Sequence, residues 1–438
     1  MAGPYSKLSI LGVIMELSTF EKRQKYIYAS KKLYYKEPIE IHRASGCRVW
    51  DHSGREYLDA IGGIVTISVG HNHPRIKSVL KNLIDNDHVQ HISSLFLSPY
   101  MPEAARLLAK HFRGDSRVYF VNSGSEANEV ACLTAREFTG KKMVISLRHG
   151  YHGGTNATIN LCGHGTWKYQ HQPFSDVGQI ESPYCFRCPY GKAHKNCSME
   201  CADDLDRYIQ TCSSGDVAAV IVEPIQGVGG FITPPLDYYK RVYEIIKDHG
   251  GLYISDEVQT GVGRLGKNFF GVLDGGIEPD ICTMAKGLGN GVPVGAVIAR
   301  KEISDAIKHK THFNTFGGDP YQMAQVCEVL NILEDENLME NARVQGEKLL
   351  TFFRQLKLDH PHIGDVRGRG LLLGIEVVNF AGDFNPIKCD EILNRAKENG
   401  LLLGKGGLKG NVLRIAPPMS ISDQEIDEFM DKFRDSVS

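Results

Sequence analysis

The sequence predicts an α/β fold: a sheet of short, mostly parallel strands covered by helices on both faces, with a smaller domain joined to it. Three observations carry this. Short, continuously apolar stretches alternate with amphipathic ones through the middle of the chain, the pattern of strands buried on both faces by crossover helices. Several of those stretches end in polar residues, where open α/β sheets bind their ligands. The 438 residues suffice for one large α/β unit and an appendage.

Taken in order, the N-terminal MAGPYSKLSILGVIMELSTF has a short apolar stretch and no small-residue cleavage site. It reads as a floppy leader, or as sequence upstream of a start at Met15, and not as a signal peptide. Between about residues 33 and 60, Asp51-His52-Ser53-Gly54 separates two strand candidates, a hairpin signature. Pro74 then opens a helix in which Ile76, Val79, Leu80, Leu83 and Ile84 recur at helical spacing. Strands follow at 117–122, 142–147, 217–222, 252–255, 280–285 and 294–299. After the first comes a helix with Ala127, Ala131, Ala135 and Phe138 inward. Helices around 321–357, a Gly-rich strand region at 364–378 and a final strand–helix run complete the chain. These boundaries divide it into an N-terminal segment of the small domain (1–65), a large domain (66–320) and a C-terminal small domain (321–438).

Composition narrows the function. The apolar share of 42% and charged share of 23% are ordinary for a globular protein. With 50 Lys+Arg against 52 Asp+Glu, nothing pulls the chain toward nucleic acid or an anionic membrane. No apolar run reaches the roughly 18 residues of a membrane span. Cys132, Cys282 and Cys327 lie in apolar stretches and read as inert core thiols.

The chemistry-bearing residues sit at strand ends. Ser123-Gly124-Ser125 follows a strand and opens a helix, so the hydroxyls, the backbone N–H groups and the helix dipole suit a phosphate. An ordinary helix cap with Glu126 fits the same residues. Glu223 closes the 217–222 strand, and Asp256 follows GLYIS. A half-buried carboxylate at Asp256 needs a partner; a protonated pyridine nitrogen, an arginine, or a metal shared with Glu257 each satisfies it. Lys286, in TMAKGLGNG, has apolar and glycine neighbours. Such a setting lowers an amine's pKa and frees it to attack an aldehyde, although a surface lysine after a strand also fits. Tyr151 and His152 follow the 142–147 strand, where an aromatic ring stacks on a cofactor or simply packs at a turn.

Together these stretches resemble the class III aminotransferases, a fold-type-I pyridoxal-phosphate family. VNSGSEANEVA, GYHG, EPIQGVGG, DEVQTGVGRLG, PDICTMAKGLGNGVPVGAV, HFNTFGGDP and LRIAPP stand in the family's order, a far more specific signal than a lone glycine motif. The resemblance implies a mixed, mostly parallel seven-stranded sheet and pyridoxal phosphate as cofactor. It implies Lys286 as the Schiff-base lysine, Asp256 as the pyridinium partner, Val258 packed under the ring, Gln259 near the ring hydroxyl and Tyr151 as the stacking aromatic. Gly124 and Ser125, with Ser123 and His152 beside them, resemble the cofactor-binding set. Thr315 resembles a phosphate ligand donated by the other subunit, which implies a homodimer or dimer of dimers with shared sites. Arg414 resembles the clamp for a substrate carboxylate. Glu223 resembles a gate that pairs with an arginine when no side-chain carboxylate is bound.

The implied reaction is a ping-pong transfer from an amino acid or ω-amine, such as alanine, β-alanine or 4-aminobutyrate, to a small 2-oxo acid. Where ornithine and 4-aminobutyrate members carry an Arg after the aromatic-x-Gly motif, this chain has Gly154, which points to pyruvate or glyoxylate as acceptor. GIVTISVGHNHP and the insert with CFRCPYG (about 181–203) look closest to the alanine–glyoxylate aminotransferase 2 branch. The alternative on the same scaffold is a phospho-lyase acting on a phosphorylated amino alcohol or amino acid; Thr260 leans toward transamination. Asp319 replaces the commoner Asn of GGNP and keeps a capping acceptor. The expected compartment is the cytoplasm, or the mitochondrial matrix in a eukaryote. Cys185-x2-Cys188-x8-Cys197-x3-Cys201 has a spacing compatible with four thiolate ligands; no metal is expected there, and the rival reading is a four-thiolate site.

Overall fold

The computed structural model describes residues 17–171, 176–191 and 197–437. Residues 1–16, with Met15 and most of the expected leader, lie outside the described residues. The predicted hairpin region forms β1 (Ile41–Ser45), β2 (Arg48–Asp51) and β3 (Glu56–Asp59), paired antiparallel in sequence. The helix Pro74–Asp85 starts at its proline. It buries Ile76 and Leu83 but leaves Ile84 62% exposed.

The central sheet comprises β4 (Ser116–Val121), β5 (Met143–Leu147), β6 (Val177–Ile180), β7 (Val217–Val222), β8 (Leu252–Asp256), β9 (Ile281–Met284) and β10 (Gly295–Arg300). Their order is β4-β10-β9-β8-β7-β5-β6. Every pairing is parallel except those of β10, which runs antiparallel to β4 and β9. Alternate residues serve opposite faces, as the pleat requires. Ala219 and Ile221 of β7 pack with Ala127, Val130 and Ala131 of the helix Gly124–Thr139. Val220 and Val222 join Leu205 and Ile209 of the helix Glu200–Cys212, and Val242 and Ile246 of the helix Asp237–Asp248. Phe138, expected inward, is 42% exposed, because Ala127, Ala131 and Ala135 already fill the strip that touches the sheet.

The C-terminal part contributes β11 (Ile363–Arg369) and β12 (Leu372–Val377), then β13 (Leu401–Leu402), β14 (Gly404–Gly406) and β15 (Val412–Ile415). Four of these make an antiparallel sheet, β11-β12-β15-β14, while β13 pairs parallel with β3 of the N-terminal hairpin. The two chain ends thus share backbone hydrogen bonds. Arg264, fully buried, reinforces that junction: it donates to the carbonyls of Ile67, Leu371 and Pro417. No helix among the described residues is long and apolar enough to cross a membrane.

Candidate active site

The parallel strands end on one edge of the sheet, and the residues that follow them line one slot of about 190 Å³. Gly124 and Ser125 come from the end of β4, Glu223 from β7, Asp256 and Val258 from β8, and Lys286 from β9. Strand-end groups from Gly124 to Lys286, far apart in sequence, meet because parallel strands present their carboxyl ends together.

Asp256 anchors the floor. Its Oδ2 lies 2.7 Å from Asn128 Nδ2 and 2.8 Å from His152 Nδ1, and Oδ1 accepts from Val258 N at 3.1 Å. Asn128 also donates to the His152 carbonyl at 2.8 Å, while its own oxygen accepts from Thr283 at 2.7 Å. Three hydrogen bonds to one buried carboxylate satisfy it and keep it aimed. Asn128 and Thr283 are additions to the sequence reading. A signal existed: Asn128 is a polar residue one turn inside a helix whose other buried positions, Thr134 apart, are apolar.

Lys286 follows β9 with φ +44°, a left-handed conformation that costs a non-glycine residue about 1–2 kcal/mol. Burial, and then the nearby Arg414 charge, lower its amine to about 8. Val258 stands against Gly124, where a Cβ would fall 2.9 Å from a valine methyl. Tyr151 lines the same slot, its ring edge-on to Trp167 at 5.0 Å.

Several side chains are committed differently from expectation. Ser123 Oγ caps its helix through Glu126 N at 3.2 Å, so the capping alternative holds for that hydroxyl; Ser125 accepts from Gly154 N at 3.1 Å. Glu223 does not pair with an arginine. It is buried and accepts from Tyr151 N and Gly227 N, each at 2.8 Å, with burial raising its pKa. Arg414 instead donates to Gln259 Oε1 at 2.6 Å, lies 4.4 Å over the Phe231 ring and keeps Nε buried without a hydrogen-bond partner. Its path from β15 is opened by β14, since a Cβ on Gly406 would sit 2.7 Å from Arg414 Cδ. Thr260 is buried and its hydroxyl donates to Glu257. Asp319 makes no side-chain cap bond; it faces His91 Nδ1 at 2.8 Å. Thr315 is exposed on the loop before the helix Pro320–Asp335 and is absent from this chain's slot.

The slot fits pyridoxal phosphate. A primary amine of lowered pKa suits its aldehyde, a buried carboxylate its ring nitrogen, the start of the helix Gly124–Thr139 its phosphate, and Val258 opposite Tyr151 its flat ring. Gly124, lacking a Cβ, lets the start of that helix close onto Val258. In the insert, Cys185 is exposed, Cys188 and Cys197 are half-buried and Cys201 is buried. Among the described residues no group of three or more His, Cys, Asp or Glu is arranged to hold a metal ion.

The chain is similar to proteins already characterised. The family described as Aminotransferase class-III matches residues 29–437. It is 38% identical to alanine–glyoxylate aminotransferase 2 homolog 2, mitochondrial, of Arabidopsis thaliana, over 95% of this chain and 86% of that one. It is 35% identical to ethanolamine-phosphate phospho-lyase homolog 1 of Caenorhabditis elegans, over 92% and 90%. Among solved structures it resembles a Bacillus anthracis aminotransferase, with TM-score 0.87, 31% identity and coverage of 96% and 99%.

Proposed function

The chain belongs to the class III aminotransferases, pyridoxal-phosphate enzymes, and we propose that it moves an amino group from an amino acid or ω-amine to a small 2-oxo acid such as pyruvate or glyoxylate. The observation that carries this is the convergence of Lys286 and Asp256 in one slot, with the Arg414 guanidinium, which makes no direct ion pair among the described residues, beside Gln259. Gly154 supports a monocarboxylate acceptor, because it offers no cation for a second carboxylate.

In this reading Arg414 takes the substrate carboxylate by paired charge-assisted hydrogen bonds. The bound cofactor supplies an aldehyde for amines and a ring that withdraws electrons from the substrate's carbon. Asp256 keeps positive charge on the ring nitrogen, helped by Asn128 and His152. Lys286 Nζ, its pKa lowered by burial to about 8, would take the proton from the amine-bearing carbon as general base and deliver it to the cofactor's aldehyde-derived carbon as general acid. Tyr151 and Val258 bound the ring's two faces, and Gly124 and Ser125 receive the phosphate.

The site is completed by a second copy of the chain, in a homodimer or dimer of dimers. Leu95, Phe96, Leu97 and Phe316 are 75%, 68%, 98% and 57% exposed, and the His91 ring lies tilted against that of Phe316, centroids 5.2 Å apart. An apolar patch of this kind marks an interface, and Thr315 lies beside Phe316. We place the enzyme in the cytoplasm, or in the mitochondrial matrix of a eukaryote, as the name of the Arabidopsis relative suggests.

A half-reaction screen tests the proposal. Purified holoenzyme is mixed with a panel of amines and amino acids, the loss of its visible band is followed, and each 2-oxo acid is then tested for restoring it. Bleaching restored by pyruvate or glyoxylate, with alanine or glycine formed, is the expected result. Release of phosphate and ammonia from a phosphorylated amino alcohol, with no amino transfer, overturns it in favour of the lyase.

A further inference from the structure

The Cys-rich insert is fastened to the C-terminal sheet, and through that sheet to the carboxylate side of the slot. Its short helical turn Cys185–Arg187 presents Arg187 to Phe384, 3.9 Å from the ring centroid. Arg187 Nε donates to Glu376 Oε1 at 2.5 Å, and Nη2 donates to the Gly382 carbonyl at 3.1 Å. The Tyr184 hydroxyl donates to the other Glu376 oxygen. Glu376, on β12, has no exposed surface.

Arg367, on β11, shares Glu376 from the other side. Its Nη1 lies 2.8 Å from both Glu376 Oε2 and Asp365 Oδ2. Its Nε and Nη2 converge on one carbonyl, that of Gly230, at 3.0 and 2.8 Å. Gly230 precedes Phe231, whose ring lies under Arg414. In the same loop Gly227 packs so closely on Gln259 that a Cβ would fall 2.1 Å from its amide nitrogen. The loop therefore supports both members of the Arg414–Gln259 pair.

We propose that Arg187, Glu376 and Arg367 are positioning residues for carboxylate recognition: the insert, through a relay of charged hydrogen bonds, fixes the Gly230 peptide and so the orientation of Arg414. The inference rests on the reading of Arg414 as the carboxylate clamp. Its physical basis is saturation. Glu376 is buried and needs its donors. Without Arg187 one oxygen loses its charged donor, and Arg367 shifts toward that oxygen and loosens its fork on Gly230. Phe231 and Arg414 then lose their fixed floor, and a planar bidentate contact tolerates little misalignment.

The test is calorimetric binding of propionate, a carboxylate without an amine, to the holoenzyme. Arg187→Met and Glu376→Gln each weaken propionate binding by about 3- to 10-fold, with the cofactor's visible band unchanged. Arg187→Lys, which keeps charge but not the fork, falls between. In an Arg414→Ala background, Arg187→Met adds nothing further, the signature of a coupled pair. An unchanged dissociation constant, or an equal loss in the Arg414→Ala background, overturns the relay. So does a wild-type protein that binds no propionate. Propionate binding coupled to Arg187 without any amino transfer sinks the transaminase reading and leaves this inference standing.

Discussion

Asn128 and Asp256 are joined by a 2.7 Å hydrogen bond across 128 positions of sequence, and the same amide nitrogen also donates to the His152 carbonyl. One neutral side chain thus ties the slot's floor carboxylate to the segment that carries Tyr151. Asn128→Ala removes a hydrogen bond to a buried charge, about 1.5–3 kcal/mol. Titration of the apo-protein with pyridoxal phosphate is expected to show affinity reduced by about 10- to 150-fold. An unchanged affinity would mean that His152 alone suffices to hold Asp256.

The lowered pKa of Lys286 has a defined sign. Folded, the amine titrates at about 8; unfolded, near the ordinary ~10.4. Between those values the unfolded chain holds a proton that the folded chain has released, so apo-protein stability rises with pH across that window. Denaturant titrations from pH 7.5 to 10 are expected to show this rise in the wild type and a smaller one in Lys286→Met. The rate of cofactor capture by apo-protein rises through the same midpoint. Lys286→Ala is expected to abolish turnover, since nucleophile and proton carrier are lost together.

Arg414→Ala is expected to raise KM for amino acids by about 10- to 150-fold, the worth of a charge-assisted pair. KM for an ω-amine without a carboxylate stays the same. Equal losses for both substrate classes in steady-state kinetics would place the clamp elsewhere.

Gly154 has nothing within 4 Å of where its Cβ would stand, so a side chain there starts without a clash. Gly154→Arg is expected to confer 2-oxoglutarate as an acceptor, read as glutamate formed from the aminated enzyme. Pyruvate use falls less than tenfold, roughly one hydrogen bond's worth of disturbance.

The proposed sharing of sites between two copies predicts complementation. Lys286→Ala and Thr315→Ala chains are unfolded together and refolded as a mixture. Heterodimers then contain one site with both native residues, and activity above the sum of the two separate preparations is the expected result. Additive activity would leave Thr315 without a role across the interface.

What was legible in the sequence follows from what is local. Strand β7 shows as an apolar run because both its faces are buried, and the polar residue after such a run marks the ligand edge. Lys286, Asp256 and Gly124 were readable on that ground. The pairings were not: Asn128 with Asp256, Gln259 with Arg414 and Arg367 with Gly230 are long-range contacts, and a polar residue on a buried helix face, as at Asn128, says that a partner is needed without saying which. Glu223 shows the limit from the other side. Its position was readable, but its choice of two backbone N–H groups over an arginine depends on where the 224–231 loop closes. Ile84 and Phe138 fit a helical pattern yet stay exposed, because periodicity identifies an apolar stripe without saying what covers its flanks.

Arg264 has a consequence for how the molecule assembles. Its charge is met by three peptide oxygens and, among the described residues, no acid; the oxygens come from Ile67 just past the N-terminal segment, the turn after β11 and the stretch beyond β15. Such a cation has no favourable interior resting place until all three oxygens have arrived. The head and tail of the polypeptide must therefore close over it together, in one cooperative event, and a chain truncated at either end is left with a guanidinium stranded halfway between water and the interior.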